Sequence, residues 1–388
     1  MFNSAREKFN SVMSFDSRAQ NMKTEFGYWA ETIKNWFKSG LPQIEDIRPG
    51  VLDADLVRGS SPIYPNGDEL VDKNVMAYFN LDSYLAKFPF DISPGFKHET
   101  LEDNKDYRIY IDNYGLTQKV TKRCASIPMV INYPIKDRKD FYKYIENYND
   151  DDYSSRLPKN WESLENDLKD RNFPIRLGGN PFGFSFLGRH LMGEIAFMTT
   201  LYDEPKLIKD FNGFFLDFVM NYWSKILDKV DIDCIVILED MAYKSGSFLS
   251  REMFEEFMAP YYIKFIDFLR QYGIKNIIVD CDGLIDGLIP LWTKVGITGI
   301  FPIEAVNDIE KIRKEFPRLR LLGGIDKRIL FEGSNRGAID DEFKKIVRVM
   351  KTGGYIPHID HAVSEDVTWK NFKYYRNKLN NIIDSFKT

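Results

Sequence analysis

Acidic side chains in the second half of this chain stand where short apolar runs end. Ile235-Val236-Ile237-Leu238 leads into Glu239-Asp240, Ile277-Ile278-Val279 into Asp280-Cys281-Asp282, Ile300-Phe301-Pro302-Ile303 into Glu304, and Leu321 to Ile325 into Asp326. Tyr355-Ile356 runs to His358-Ile359-Asp360-His361, which contains two of the chain's four histidines. Asp280 and Asp282 are two apart, so on a strand both face one side and Cys281 faces the other. Two carboxylates about 5 Å apart at an effective dielectric near 20 repel by roughly 3 kcal/mol, so such a pair calls for a metal ion, a lysine or a shared proton. His358 and His361 add a metal ligand or a base that works near neutral pH, and of the two His361 is the preferred candidate. Glu239 to Lys244 supplies two acids, the Tyr243 phenol and an ammonium. Each feature also has a structural reading: Asp282 and Asp326 as helix N-caps, Glu239 with Lys244 as an ion pair at a rim, one histidine as a loop tie.

Parallel strands joined by helices place all their carboxyl ends on one side, and in a closed barrel that side carries the chemistry. Strands are expected near 174–179, 234–239, 275–280, 298–303, 320–325 and 353–358, each followed by a helical pattern, with two more strands before 173. Helices with one apolar stripe are expected at 252–272 and 340–351. The fold class is therefore α/β, a TIM (β/α)8 barrel with an N-terminal helical and β-hairpin extension. Residues 1–125 form the extension, able to supply the first strands, and 126–388 the barrel. Within the extension, residues 1 to about 40 read as helix, with Trp29, Ile33 and Phe37 on one stripe and a Ser39-Gly40-Leu41-Pro42 stop. A further helix is expected at 68–80, an antiparallel meander at 97–124, and charged helical text at 137–172 around the Asp150-Asp151-Asp152 loop. Gly178-Gly179-Asn180-Pro181-Phe182-Gly183 lacks the spacing and lysine of a phosphate loop. Its two glycines suit close approach of a ligand to the backbone, with Asn180 facing it.

With 388 residues, 44% of them hydrophobic, and a net charge of −5 without a basic stripe, nucleic acid and membrane surfaces are excluded as expected partners. No apolar leader and no run near the roughly 18 residues of a span point to a cytoplasmic protein. Cys124, Cys234 and Cys281 form no CxxC pair, so a metal site would use nitrogen and oxygen ligands.

The chain resembles the uroporphyrinogen decarboxylase superfamily, in particular its branch of corrinoid-linked methyltransferases. The likeness rests on Phe26-Gly27-Tyr28-Trp29 with Thr32 and Gly40-Leu41-Pro42, Gly179-Asn180-Pro181-Phe182, Glu239 to Gly246, Pro260-Tyr261-Tyr262, Asp280-x-Asp282-Gly283, Gly323 to Arg328, and Gly354 to His361. Thiol-directed members of that branch look like they place His-x-Cys where this chain has Asp280-x-Asp282, and a late cysteine where it has His361. The arginine-rich N-terminal motif of the decarboxylases has no counterpart. The resemblance implies transfer of a methyl group from a methoxy- or methylamine-type donor to a corrinoid protein or cobalamin, in the O-demethylase manner of anaerobic one-carbon metabolism. Zn²⁺ or a similar divalent ion on Glu239, Asp280, Asp282 and His361 would polarise the donor. Glu239, Asp280, His361, Tyr243 and Lys244 are the expected catalytic groups, with Asn180, Phe182, Asp240, Glu304, Asp326 and His358 binding substrate. A homodimer is compatible with this reading. The alternatives are a decarboxylase-like lyase and a barrel that binds a tetrapyrrole or corrinoid without turning it over.

Overall fold

Strands built from consecutive Ile, Val and Leu are apolar on both faces and need cover on both, which in one chain means a parallel sheet wrapped by helices. The computed structural model shows that arrangement; it describes residues 4–44, 56–57, 72–123, 127–148, 154–157 and 161–385. The barrel strands are β1 (Ala86–Lys87), β2 (Ile175–Gly178), β3 (Cys234–Leu238), β4 (Ile277–Asp280), β5 (Gly299–Ile303), β6 (Arg320–Ile325) and β7 (Tyr355–Ile359). They pair in parallel and in sequence order as one curled seven-stranded sheet. The result is an α/β TIM-type barrel. None of its described helices is long and apolar enough to cross a membrane.

The gap between β7 and β1 is spanned by the extended segment 21–29, which bonds to both sides. Asn21 donates to the Tyr355 carbonyl at 2.8 Å, the Ile359 amide to Glu25 at 3.2 Å, and the Val363 amide to the Gly27 carbonyl at 2.9 Å. On the other side the Asp82 amide donates to the Lys23 carbonyl at 2.8 Å. Glu25 is fully buried and is held by Tyr375 at 2.7 Å and Arg376 at 2.8 Å, both from the terminal helix Trp369–Ser385. This segment corrects the expectation of one helix from 1 to 40. The chain forms Ala5–Met13, turns at Phe15 with φ +59°, and resumes helix only at Ala30–Lys38. The spacing of Ile33 and Phe37 is helical, but it does not extend back across residues 14–29.

The first helix closes the amino end of the barrel. Ser4 and Glu7 form its capping box, and Phe9, Val12 and Met13 pack with Cys234, Val236, Ile278, Leu322 and Ile356, the inward residues of the strands. Alternate residues Ile235, Ile237, Val279 and Ile325 face the helices in the main core. The expected helix at 252–272 is two, Arg251–Phe257 and Ala259–Gln271, because Pro260 lacks an amide hydrogen and sits in the first turn of the second. The meander is Glu99–Asp103, Tyr107–Ile111, Thr117–Thr121 and Met129–Asn132, antiparallel in sequence order, and the helix expected at 68–80 is Lys73–Phe79. Cys124 and Asp150-Asp151-Asp152 lie outside the described residues.

Candidate active site at the carboxyl ends of the strands

Strand β4 carries Asp280 inward as its last residue, and Asp282 follows on the same side, while Cys281 between them is fully buried in the outer core. After β7 the chain turns so that His361 Nε2 lies 3.2 Å from Asp282 Oδ2, with the two side chains 27% and 42% exposed. The imidazole stacks on Phe26 with centroids 4.9 Å apart, and Phe26 stacks on Phe301 of β5 at 5.2 Å. The bridging segment 21–29 therefore supplies the ring that fixes the histidine's plane. Asp240, after β3, accepts the Asp282 amide at 3.2 Å and has a left-handed φ of +39°. Burial, followed by the charge of Asp282, pushes its carboxyl up to about 6. Its carbonyl, with that of Glu239, is held by the Arg189 guanidinium at 2.7 and 2.5 Å. Asp240, Asp282 and His361 thus form one polar cluster in the mouth, with Asp280 half-buried at its base.

The other acids have structural partners. Glu239 is fully buried and points away from the barrel axis. It accepts the amides of Phe184 at 2.9 Å, Ser185 at 2.8 Å and Phe186 at 3.3 Å and the Tyr262 hydroxyl at 2.5 Å. Gly183 makes this possible, since a Cβ there would lie 1.7 Å from the Leu238 carbonyl oxygen and 3.2 Å from Glu239 Cδ. Glu239 was expected as catalyst and metal ligand; both its oxygens are engaged in tying the 183–186 loop to the outside of β3. Asp326, expected to bind substrate, caps the turn Lys327–Leu330, accepting the Arg328 amide at 2.9 Å and pairing with its guanidinium at 2.7 Å. Asp360 is 5% exposed and links the loops after β5 and β6 through the amides of Ala305 at 3.0 Å and Lys327 at 3.1 Å. Glu304 accepts the Gly283 amide at 2.6 Å, and Asn307, which sequence reasoning did not single out, holds the same loop through the Gly283 carbonyl and the Ile285 amide.

Tyr243 and Lys244 occupy the hairpin of Ala242–Tyr243 and Gly246–Ser247, with Tyr243 59% exposed and the Lys244 ammonium 5.8 Å from its ring centre. They form part of the rim, the Tyr243 carbonyl accepting the Leu284 amide two residues past Asp282 at 2.9 Å, and Lys244 has no ion pair with Glu239 among the described residues. Phe182, expected to bind substrate, is 2% exposed and packs on Phe184, Trp223 and Phe265, and with Asn180 it lines a cavity beside the mouth. Asn180 is exposed beside Lys87, which donates to its carbonyl at 3.1 Å. Gly178 and Gly179 serve packing: a Cβ on the first would meet the Val236 carbonyl at 2.3 Å, and on the second the Arg176 guanidinium at 2.2 Å. His358 lies inside the barrel, fully buried between Phe301 and Tyr84, with Nδ1 on the Ile359 carbonyl at 2.7 Å and Nε2 without a partner. Burial lowers its pKa to about 4, so it is neutral at physiological pH.

The model of the uroporphyrinogen decarboxylase (URO-D) family matches residues 110–381. This chain belongs to the uroporphyrinogen decarboxylase family. The matched stretch holds β2 to β7 and every residue of the cluster, while Phe26 lies outside it. Among solved structures, a methyltransferase from Methanosarcina mazei resembles 97% of this URO-D chain over 99% of its own length, with TM-score 0.58 at 13% identity. A candidate vitamin-B12 independent methionine synthase from Listeria monocytogenes aligns over 57% of this chain and 69% of its own, with TM-score 0.35 at 13% identity. The first likeness is one of fold, and the second is too loose to argue from. No curated protein matches the chain significantly.

The ligand set expected for a divalent ion does not fit as a set. Glu239 already has four hydrogen-bond donors and faces the outer core, and among the described residues of this URO-D protein no group of three or more His, Cys, Asp and Glu side chains is arranged to hold a metal.

Proposed function

We propose that this protein is a methyltransferase that moves a methyl group from a small methoxy- or methylamine-type donor to a corrinoid carried by a partner protein. The observation that carries the reading is the half-exposed Asp282–His361 pair at the carboxyl ends of β4 and β7, backed by Asp240 and held by Phe26. When the methyl leaves, the bond to the donor's oxygen or nitrogen breaks with its electron pair on that atom, which then needs a proton. An imidazole hydrogen-bonded to a carboxylate, open to the mouth on one side, is suited to deliver it. Asp282 orients the ring and offsets its positive charge, and the Phe26 stack keeps it from rotating. A corrinoid, when bound, supplies the reduced cobalt that takes the methyl. The rim offers Tyr243, 59% exposed, and Val306, 43% exposed, as apolar contacts for a macrocycle.

The charge of the mouth favours this reading over decarboxylation of a porphyrinogen. Arg189 is tied to main-chain carbonyls and Arg328 to Asp326, so Asp240, Asp280 and Asp282 would oppose a polycarboxylate. The test is to incubate the protein with cobalamin reduced to cobalt(I) and a panel of methoxyarenes and methylamines, following loss of the cobalt(I) spectrum and the demethylated product. Turnover that falls at least about a hundredfold in Asp282→Asn and His361→Gln is expected. Decarboxylation of uroporphyrinogen, with no methyl transfer from any donor, would replace this reading with the lyase.

A further inference from the structure

The antiparallel meander has two outer strands, and among the described residues neither pairs with a further strand. An outer strand offers a row of unmatched main-chain donors and acceptors, which charged side chains ordinarily guard against added strands. Glu99–Asp103 is guarded in this way: it carries three acids, of which Asp103 pairs with Lys122. Met129–Asn132 is not, since the chain from Ile127 to Ile135 has no Asp, Glu, Lys or Arg. Ile127, Met129 and Ile131 are instead 80, 60 and 44% exposed, while Pro128 and Val130 between them are half-buried, so the three apolar side chains share the solvent face.

A second exposed apolar pair lies on the next helix. The Tyr133 ring lies against Gly193, where a Cβ would meet it at 2.9 Å, so the helix Glu194–Asp203 starts beside the end of this strand. Its Ile195 and Tyr202 are seven residues apart, on one helix face, and are 84 and 73% exposed. At roughly 150–200 Å² for a fully exposed side chain of this size, the five present about 500–700 Å² of apolar surface, as large as the largest patch on an ordinary monomer or larger.

The strand itself indicates what covers it, because its apolar stripe reads the same in both directions about Met129. When two copies pair antiparallel about a two-fold axis there, Met129 faces Met129 and Ile127 of each copy faces Ile131 of the other. Every exposed apolar side chain of the strand then meets another, and no charges are opposed. The bulge at Ile131, where Asn132 and Val130 pair with the consecutive residues Thr117 and Gln118, ends the usable stretch. The joined meanders form one continuous sheet whose two outer strands are both the acidic Glu99–Asp103, which repel each other, so the assembly closes at two copies. Covering the patch in both copies removes about 1,000–1,400 Å² from water, at the lower end of specific interfaces, roughly 1,200–2,000 Å².

We infer that Met129–Asn132 is the contact surface of a symmetric dimer of this chain, formed by antiparallel pairing of that strand with itself about Met129. The dimer stands apart from the methyl-transfer reading and neither needs it nor supports it.

The experiment is sedimentation velocity of the full chain between about 1 and 50 µM, where a species of twice 45.4 kDa is expected. Met129→Lys sets two ammonium groups against each other at the axis and should weaken association at least about tenfold, with the melt of the diluted protein unchanged. Leu101→Lys, on the guarded edge, should leave association as it is. Cross-linking reads the register in a Cys124→Ser background, whose remaining cysteines, Cys234 and Cys281, are buried. Opposed residues of an antiparallel pair have Cα atoms about 4.5–5.5 Å apart, within disulfide reach. Met129→Cys should therefore oxidise to a covalent dimer, and Ile127→Cys should cross-link to Ile131→Cys in a mixture far more than either does alone. A monomer throughout that concentration range, or a dimer that persists in Met129→Lys and gives no Met129→Cys cross-link, overturns the proposal. A monomer that binds a corrinoid protein, and loses that binding in Met129→Lys, also overturns it and gives the strand to that partner.

Discussion

Replacing Glu239 by glutamine tests whether the acid after β3 belongs to the chemistry or to the frame. Its two oxygens accept three backbone amides and the Tyr262 hydroxyl in a fully buried site. In the amide, one oxygen becomes an NH2 group. If the remaining oxygen stays with Ser185 and Phe186, the NH2 faces the Phe184 amide, which has no other acceptor, while Tyr262 can rotate its hydroxyl to accept. One orphaned buried donor costs about 1–3 kcal/mol, and the lost charge weakens the other bonds by about 1 kcal/mol each. Relief from burying a carboxylate, which burial has pushed above its ordinary pKa, offsets part of this. The net expectation is a loss of about 2–4 kcal/mol in urea-induced unfolding followed by tryptophan fluorescence, with activity per folded molecule kept within about threefold. Glu239→Ala, which orphans all four donors, should lose more. A Glu239→Gln protein as stable as the parent but without activity would refute this assignment and return Glu239 to the reacting groups.

Asp282→Asn and His361→Gln should behave in the opposite way, since both side chains are partly exposed: stability within about 0.5 kcal/mol of the parent by the same unfolding assay, with turnover of the methyl donor lost. Gly183→Ala places a methyl 1.7 Å from the Leu238 carbonyl oxygen and should lower stability by more than about 3 kcal/mol or abolish soluble expression, because the atom it meets is strand backbone that cannot swing aside. His358 gives a pH signature. Its folded pKa of about 4 lies below the ordinary 6.5, so the unfolded chain binds the extra proton, and stability falls as pH drops below about 6.5 and levels off near 4. Between pH 7 and pH 5 that removes about 2 kcal/mol, and His358→Met should lose correspondingly less over the same interval in urea unfolding.

The apolar runs at 234–238, 277–280, 299–303, 320–325 and 355–359 were legible because parallel strands covered on both faces read as unbroken Ile, Val and Leu. The same property hid which acid faces inward. In a half-exposed sheet, polar residues mark the outer face, but β3 carries Cys234, Val236 and Leu238 on one side and Ile235 and Ile237 on the other, and nothing in that text separates axis from helix. The opening strand Ala86–Lys87 is two residues long amid Pro and Gly, too short for alternation to show. The bridge 21–29 is bonded by main chain and by buried Glu25 to residues distant in sequence, more than 300 positions away on the β7 side, so local spacing could not report it. Phe26 entered the reading only as part of a family likeness, and its stack on His361 had no local signal.

Register explains why the ring of acids divides. Counting along each strand, Asp280 and Asp282 share the inward parity of Ile278, whereas Glu239 shares the outward parity of Ile235 and Ile237. An outward acid at a strand end meets the start of the next loop, where free backbone amides await an acceptor, and Glu239 takes three of them. Parity alone is not enough. Asp326 and Asp360 lie beyond the last paired residues of β6 and β7, where the chain is free to turn, and both are captured by neighbouring amides. Asp282 escapes capture because the amides around it already have acceptors: Gly283 donates to Glu304, Leu284 to the Tyr243 carbonyl and Ile285 to Asn307. The structural acids of the mouth therefore leave one carboxylate free to pair with His361. Removing one of those acceptors should disturb Asp282: in Glu304→Ala the Gly283 amide loses its acceptor, the turn that carries Asp282 loses that tie, and the His361 pair should open. That variant is expected to lose turnover without losing the fold, read as a fall in kcat beside an unchanged melt. A Glu304→Ala protein with native kcat would show that the cluster does not depend on its neighbours for its geometry.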